Sequence, residues 1–245
     1  MAILGIDIGG SGIKGALVNI ETGELVTDRL RYDTPQPSEP KAVIAIVKQV
    51  VKHFNYKGAL GVGFPAIVIQ GVTRSAANVD DGWINFPAAK KIAEATGCRV
   101  TVRNDADVAA MAEVKFGAGR GHMGTVMVFT LGTGIGSAMF VDGKLVPNME
   151  LGHIYLPGHK KDAEYYATDR IRKAKGLSWQ KWGKRLNNYF NFIEGLFSPE
   201  LVIIGGGVSK KHDKFLSYID IQAQIVPAAL RNEAGIVGAA LTAVA

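Results

Sequence analysis

With 245 residues, 47% hydrophobic content and no window of uniform polarity, the chain is expected to be ordered throughout, as one large domain or two small ones. The single cysteine, Cys98, excludes an internal disulfide framework and fits a reducing cytoplasm; the apolar stretches stop short of the roughly 20 residues a membrane span needs, and Asp7 inside the first apolar run, with no basic region ahead of it, argues against a signal peptide. Net charge is +6, and residues 159–185 alone carry nine Lys/Arg against three acids, a local field that reads either as a solvated helix face or as ground for a polyanion.

Residues 2–8, AILGIDI, predict a buried strand ended by Gly9-Gly10. IKGALVNI (13–20) alternates well enough for a second strand, and ETGEL (21–25) predicts a turn leading to a third. Val43, Val47, Val50 and Phe54 fall on one helical face of 41–54. ALGVGFPAIV (59–68) reads as a strand and a Gly/Pro-bounded loop, and 87–96 as a short helix with Pro87 near its start and Gly97 past its end. RVTVRND (99–105) is a strand running straight into the helix ADVAAMAEVKFG. GTVMVFTLG (124–132) predicts another buried strand, followed by TGIG and the strand SAMFVDGKLV with an Asp-Gly turn. Ser178 predicts the cap of a long helix whose apolar residues include Trp179, Trp182, Leu186, Tyr189, Phe190, Ile193 and Phe197. LVIIGGG (201–207) is a strand ending in three glycines, and GIVGAALTAV closes the chain as an apolar helix.

Two segments echo one another. GIDIGGSGIKGALV (5–18) and FTLGTGIGSAMFV (129–141) each join a buried strand to a returning strand through a Gly-rich turn that holds a hydroxyl residue. Glycine lets backbone N–H groups line such a turn with no Cβ in the way, a concavity suited to anions. Neither copy is a P-loop, since the G-x-x-x-x-G-K-[ST] pattern is absent. Asn104-Asp105, where a strand meets a helix, is either a helix cap or a working acid. Glu150 and His153 stand at E-x-x-H spacing, but Gly152 disfavours a helix there and no third ligand stands out for a metal.

Two phosphate-type hairpins and a late Gly-Gly turn resemble the actin-like, hexokinase-type ATPase superfamily, an α/β fold of two related domains around a cleft. Within it, DIGGSGIKGALV, GVGFPAIV, SAANVDDGWIN, VRNDADVAA, LGTGIGSAMFVDGKLVPNMELGH and LVIIGGGVS resemble the ROK family of sugar kinases. GGSGIKGALV, TRSAANVDDGWI, LSWQKWGKRL and NEAGIVGAAL resemble the branch of that family that spends polyphosphate on glucose.

The resemblance implies a small α/β domain over 1–107, rejoined by a terminal helix at 231–245, and a large α/β domain over 108–230. It implies an enzyme that moves a phosphoryl group from polyphosphate to the 6-hydroxyl of glucose, giving glucose 6-phosphate. An ATP-dependent glucokinase or glucomannokinase is the alternative, and a non-catalytic sugar-responsive regulator the alternative from another class. Asp105 is the expected catalytic base, with Asn78, Asn104, Asp105, Glu150, His153 and Glu164 at the sugar. Asp7, Gly9, Gly10, Ser11, Gly12, Lys14, Thr133, Gly134, Gly205 and Gly206 are expected around the donor phosphates. Asp7 is expected to orient Mg²⁺ through water. Lys160, Lys161, Arg170, Arg172 and Lys173 are the expected polyanion track. Family members carry a Cys-rich zinc motif after the His; this chain has no cysteine there, so no zinc site is expected. A cytoplasmic homodimer without nucleic-acid or membrane partners completes the expectation.

Overall fold

Ala2–Ile8 forms strand β1 and Ile13–Asn19 forms β2 in this computed structural model, which describes residues 1–77 and 79–244. The two pair antiparallel from Ala2↔Asn19 to Ile8↔Ile13, and the Gly-rich turn between them is closed by the Gly9 N–H bonded to Gly12 O at 3.0 Å. ETGEL leads first to a single bridge between Leu25 and Val18, and only later to strand β3 (Leu30–Tyr32). Helix α1 (Pro40–His53) starts on proline, whose missing N–H costs nothing at that position, and buries Val43, Val47 and Val50. Strand β4 (Ala59–Phe64) is buried along its whole length, as befits an interior parallel strand. Then come a short hairpin of β5 (Val68–Ile69) and β6 (Val72–Thr73), helix α2 (Ala88–Thr96) stopped by Gly97 at φ 73°, strand β7 (Arg99–Asn104) and helix α3 (Asp105–Phe116). The sheet order is β3-β2-β1-β4-β7, with β1, β4 and β7 parallel.

The same plan recurs. Strands β8 (Thr125–Leu131), β9 (Ile135–Val141) and β10 (Lys144–Val146) form antiparallel pairs. Asp142 and Gly143 both have positive φ, as a two-residue hairpin turn requires. Helices α4 (Glu164–Ala167), α5 (Asp169–Ala174) and α6 (Trp179–Phe197) follow, then β11 (Leu201–Gly205) and β12 (Gln224–Pro227). The order is β10-β9-β8-β11-β12, with β8, β11 and β12 parallel. Each sheet thus has a central strand with an antiparallel neighbour on one side and a parallel neighbour on the other.

Contacts divide the chain into two units: Met1–Ala112 with the chain from Glu233 onward, and Glu113–Asn232. The division falls inside α3 rather than at 107/108, because the helix runs unbroken and no linker composition marks the change. In the first unit, the closing helix α7 (Ala234–Thr242) lies on β1 and β4. A Cβ at Gly5 or Gly61 would run into the α7 backbone at Ile236 or Ala239, so this close approach demands glycine. The core of this unit includes Leu4, Ile6, Val47, Val62, Phe64 and Trp83, and the Trp83 indole N–H donates to Ser38 O at 2.8 Å.

In the second unit, Trp182, Leu186, Tyr189, Phe190 and Ile193 of α6 pack with Phe129 and Ile204. Ser178 caps α6 by accepting from the Lys181 N–H at 3.2 Å, and the Trp182 indole N–H donates to Ala167 O at 2.9 Å. Removing a buried ring of this kind costs about 3–5 kcal/mol. The buried carboxylate of Glu113 accepts from the N–H groups of Ala118, Ala229 and Leu230 and so fixes the loop after β12. No helix among the described residues is long and apolar enough to cross a membrane.

Candidate active site

In the first unit, the chemistry-bearing residues gather where parallel strands end, the edge at which open α/β sheets take ligands. Asp7 lies opposite Gly63 of β4, and Gly63 lies opposite Arg103 of β7, one residue before Asn104. Asp7 and Asp105 therefore stand about two strand spacings apart, about 10 Å. Asn104 does the capping: its Oδ1 accepts from the N–H groups of Ala106 and Asp107 at 2.8 and 3.1 Å, and its amide donates to Ala66 O at 3.1 Å. Asp105 is then the first helical residue, partly exposed, and its Oδ1 also accepts from the Ala106 N–H at 2.8 Å. A helix N-terminus favours a negative charge at that place.

Asp7 binds Lys14 Nζ at 3.0 Å, through the directly paired positions of the first hairpin. Its carboxyl carbon would lie 2.7 Å from a Cβ on Gly235, in the first turn of α7. The carbonyls of the Gly-rich turn are held from outside. Thr34 donates to Gly9 O at 2.6 Å, Gln36 to Gly10 O at 3.3 Å, and Arg31 to Ser11 O at 3.0 Å. Asn78, expected at the sugar, lies outside the described residues.

In the second unit, Glu164 opens α4 beside the second Gly-rich turn. Its Oε1 accepts from the Ile135 N–H at 2.8 Å, and its carboxylate fills the space a Cβ on Gly134 would need; a Cβ on Gly152 would run into Ile135 O and lie 3.3 Å from Glu164 Cγ. The structure thus brings Glu164 together with Gly134 and with the short 3-10 turn Leu151–His153. That turn is itself pinned: Ser137 donates to Met149 O at 2.7 Å and accepts from the Leu151 N–H at 3.0 Å, and Tyr189 donates to Leu151 O at 3.2 Å. Burial, with the charge of Glu164 added, pushes the Tyr189 phenol far up, so it stays a donor. Thr133 is exposed at the turn, and Arg170 N–H bonds to Gly132 O at 3.2 Å. Gly205 ends β11 opposite Thr130, and Gly206, at φ 79°, lies against the Leu131 backbone. The second and third Gly-rich turns are therefore neighbours.

His153 lies between acids. Its Nδ1 is 3.0 Å from Asp162 Oδ2, and its Nε2 is 4.0 Å from Glu150 Oε2. The Asp162 hydrogen bond, opposed by burial and aided by the charges of Glu164, Asp162 and Glu150, holds the His153 pKa above its usual value. The other Asp162 oxygen, Oδ1, is buried and has no hydrogen-bond partner among the described residues. Such an atom costs about 1–3 kcal/mol. Sequence reasoning missed Asp162, because it counted only as one acid in a basic run; nothing in the spacing marks it as the partner of His153. Among the described residues, no group of three His, Cys, Asp or Glu side chains is arranged to hold a metal.

The basic segment resolves into distinct parts. Arg172 is committed: its Nε bonds Asp169 at 2.6 Å and its guanidinium lies 3.9 Å from the Trp179 ring centroid. Lys173 also bonds Asp169, at 2.8 Å, but remains 69% exposed. Lys160, Lys161 and Arg170 are exposed, and the last two approach the Tyr165 ring at 4.4 and 5.9 Å.

The model of the ROK family matches residues 3–165. The chain is 46% identical to the polyphosphate glucokinase of Mycobacterium tuberculosis (strain CDC 1551 / Oshkosh), over 98% of its own length and 91% of the relative's. It is similar in structure to the inorganic polyphosphate/ATP-glucomannokinase from Arthrobacter sp. strain KM, with 48% identity, a TM-score of 0.93 and coverage of 99% and 98% of the two chains. It is also similar to a ROK family glucokinase from Streptomyces griseus, solved with glucose and AMPPNP, with 26% identity, a TM-score of 0.84 and 98% coverage of both. The repeated five-stranded sheet is accordingly that of the actin-like, hexokinase-type ATPase fold. With the family model matching well over half of the sequence and a relative aligned over nearly all of it, this chain belongs to the ROK family.

Proposed function

We propose that this protein is a sugar kinase that transfers a phosphoryl group from inorganic polyphosphate to the 6-hydroxyl of glucose, giving glucose 6-phosphate. The observation that carries the reading is the full-length likeness to proteins named polyphosphate glucokinase and polyphosphate/ATP-glucomannokinase. Catalysis of this kind rests on positioning and electrostatics more than on covalent chemistry. Asp105 accepts the proton as the sugar oxygen attacks the terminal phosphorus and the bond to the shortened polyphosphate breaks. Its place at the start of α3 supports an ionised resting state, which a proton acceptor needs.

Glu150 and Glu164 accept hydrogen bonds from sugar hydroxyls, and the His153 imidazolium donates one. The turns around Gly9–Gly12 and Thr133-Gly134, with Lys14 and the Gly205-Gly206 turn, receive donor phosphates. Mg²⁺ that accompanies those phosphates would offset their charge and would be held by Asp7 through water. One carboxylate beside a Gly-rich turn suits that ion, which keeps most of its water shell. The polyphosphate chain runs over Lys160, Lys161, Arg170 and Lys173, while Arg172 shapes the surface from behind. The reading extends to a homodimer acting in the cytoplasm; the single cysteine, Cys98, fits a reducing compartment.

The name of the Arthrobacter relative favours a second reading, in which ATP also serves as donor and mannose as acceptor. Initial rates with polyphosphate and ATP, each against glucose and mannose, decide between them. Fast turnover of glucose with polyphosphate is expected; turnover with ATP alone would overturn polyphosphate as donor.

A further inference from the structure

Of the acids around His153, only Asp162 reaches it at hydrogen-bonding distance, 3.0 Å from Nδ1 to Oδ2. Glu150 faces the opposite ring nitrogen at 4.0 Å, and Glu164 acts on the ring through its charge. A carboxylate can only accept, so the ring must carry its proton on Nδ1 whenever it is neutral. That leaves Nε2 as the nitrogen turned toward Glu150. Asp162 is itself anchored by its neighbours in the chain: the Ala163 N–H bonds Ile154 O at 2.8 Å, and the Tyr165 N–H bonds Asp162 O at 3.1 Å. The loop 155–163 is thereby folded back onto the residue that follows His153. The Asp162 side chain is only 18% exposed, and its Oδ1 is buried with no described partner. A carboxylate kept at that disadvantage is explained by what its other oxygen does.

We propose that Asp162 is a positioning residue of the sugar site, holding His153 by Nδ1 so that Nε2 points beside the Glu150 carboxylate toward a sugar hydroxyl. The acceptor Glu150 and the His153 imidazolium, which donates through Nε2–H when the ring is charged, then form a matched pair, able to accept from one hydroxyl and donate to the next. This role rests on the sugar-kinase reading above. Asp162 touches neither sugar nor phosphate; it acts through the imidazole, as a ligand's outer partner orients the ligand. The raised His153 pKa agrees with the geometry, since Asp162, Glu164 and Glu150 all favour the charged ring.

The test is Asp162→Asn, which keeps the shape, with Asp162→Ala beside it. Isotope-labelled histidine, followed by NMR across pH, reports the tautomer and titration midpoint of His153; glucose KM and kcat are measured on the same samples. Asp162→Asn is expected to lower the midpoint, to populate the Nε2–H tautomer of the neutral ring, and to raise glucose KM about tenfold. The polyphosphate KM stays within about twofold, because no phosphate contact is removed. If Asp162→Ala fails to fold, the Asn variant carries the test alone. An unchanged tautomer and an unchanged glucose KM in a folded, active Asn variant would overturn the inference while leaving the kinase reading intact. Absence of hexose phosphorylation by the unsubstituted chain would overturn the kinase reading and, with it, the sugar role of Asp162.

Discussion

The Glu164 carboxylate accepts a hydrogen bond from the Ile135 N–H at 2.8 Å, tying α4 to the first residue after the second Gly-rich turn. The same carboxylate occupies the room left by the missing Cβ of Gly134. A group proposed to touch sugar is thus built into the wall of a turn proposed to hold phosphate. Gly134→Ala should displace Glu164 without altering any charge. Glu164→Gln should keep the bond from Ile135 but lose its charge assistance. Both are expected to raise glucose KM at least about tenfold, from the loss of a hydrogen bond to a charged group. Normal glucose KM in Gly134→Ala would mean that Glu164 has no part in sugar binding.

As the proposed base, Asp105 should separate binding from chemistry. Asp105→Asn preserves shape and removes the proton acceptor, so kcat should fall about 10²–10⁴-fold. Glucose affinity, read by calorimetry, should change by less than about threefold. A variant that turns over at near the original rate would place the base at another residue.

Electrostatic binding of a long polyanion weakens as salt rises, because bound counterions are released. Replacing Lys160, Lys161 and Arg170 together by Ala should raise the polyphosphate KM about tenfold and flatten its dependence on ionic strength. These side chains are exposed, so stability should hold within about 0.5 kcal/mol. Equal losses with short and long polyphosphate would argue against a track.

Asp169 makes an acid-side prediction. Burial pushes its carboxyl pKa up, but hydrogen bonds from Lys173 and Arg172 outweigh burial and hold it below the usual value. A folded-state pKa below the unfolded one adds stability that is present above about pH 4 and is lost as pH falls through the folded value. Asp169→Asn should therefore lower Tm at pH 7, by the equivalent of about 1–3 kcal/mol. The gap to the unsubstituted protein should narrow as pH falls below about 4 and the carboxyl takes up its proton. Melting curves at several pH values check this, and a gap that widens in acid would contradict the ion-pair account.

Much of the architecture was legible in the chain. The two Gly-rich hairpins were visible because glycine clusters between alternating runs have few other uses, and both formed as β1–β2 and β8–β9. Helix α6 was legible from its period and from Ser178. The segment 147–177 was not, because its helices α4 and α5 are too short to show a period and owe their place to contacts such as Thr168 accepting from the Ile171 N–H. The basic run looked uniform in sequence, yet Arg172 proved to be bound up with Asp169 and Trp179 while Lys160 and Lys161 stayed exposed.

By itself, the sequence determined the repeated strand–turn–strand plan, the family resemblance and the residue types on offer, because periodicity and glycine placement are local properties of the chain. Only the tertiary structure decided which side chains share an environment. It made Asn104 the cap and Asp105 the first helical residue, it set Glu164 against Gly134, and it put Asp162 on His153. Those pairings depend on how loops return to the sheet edge, and a hydrogen bond between residues 9 or 29 apart leaves no period for a sequence to show.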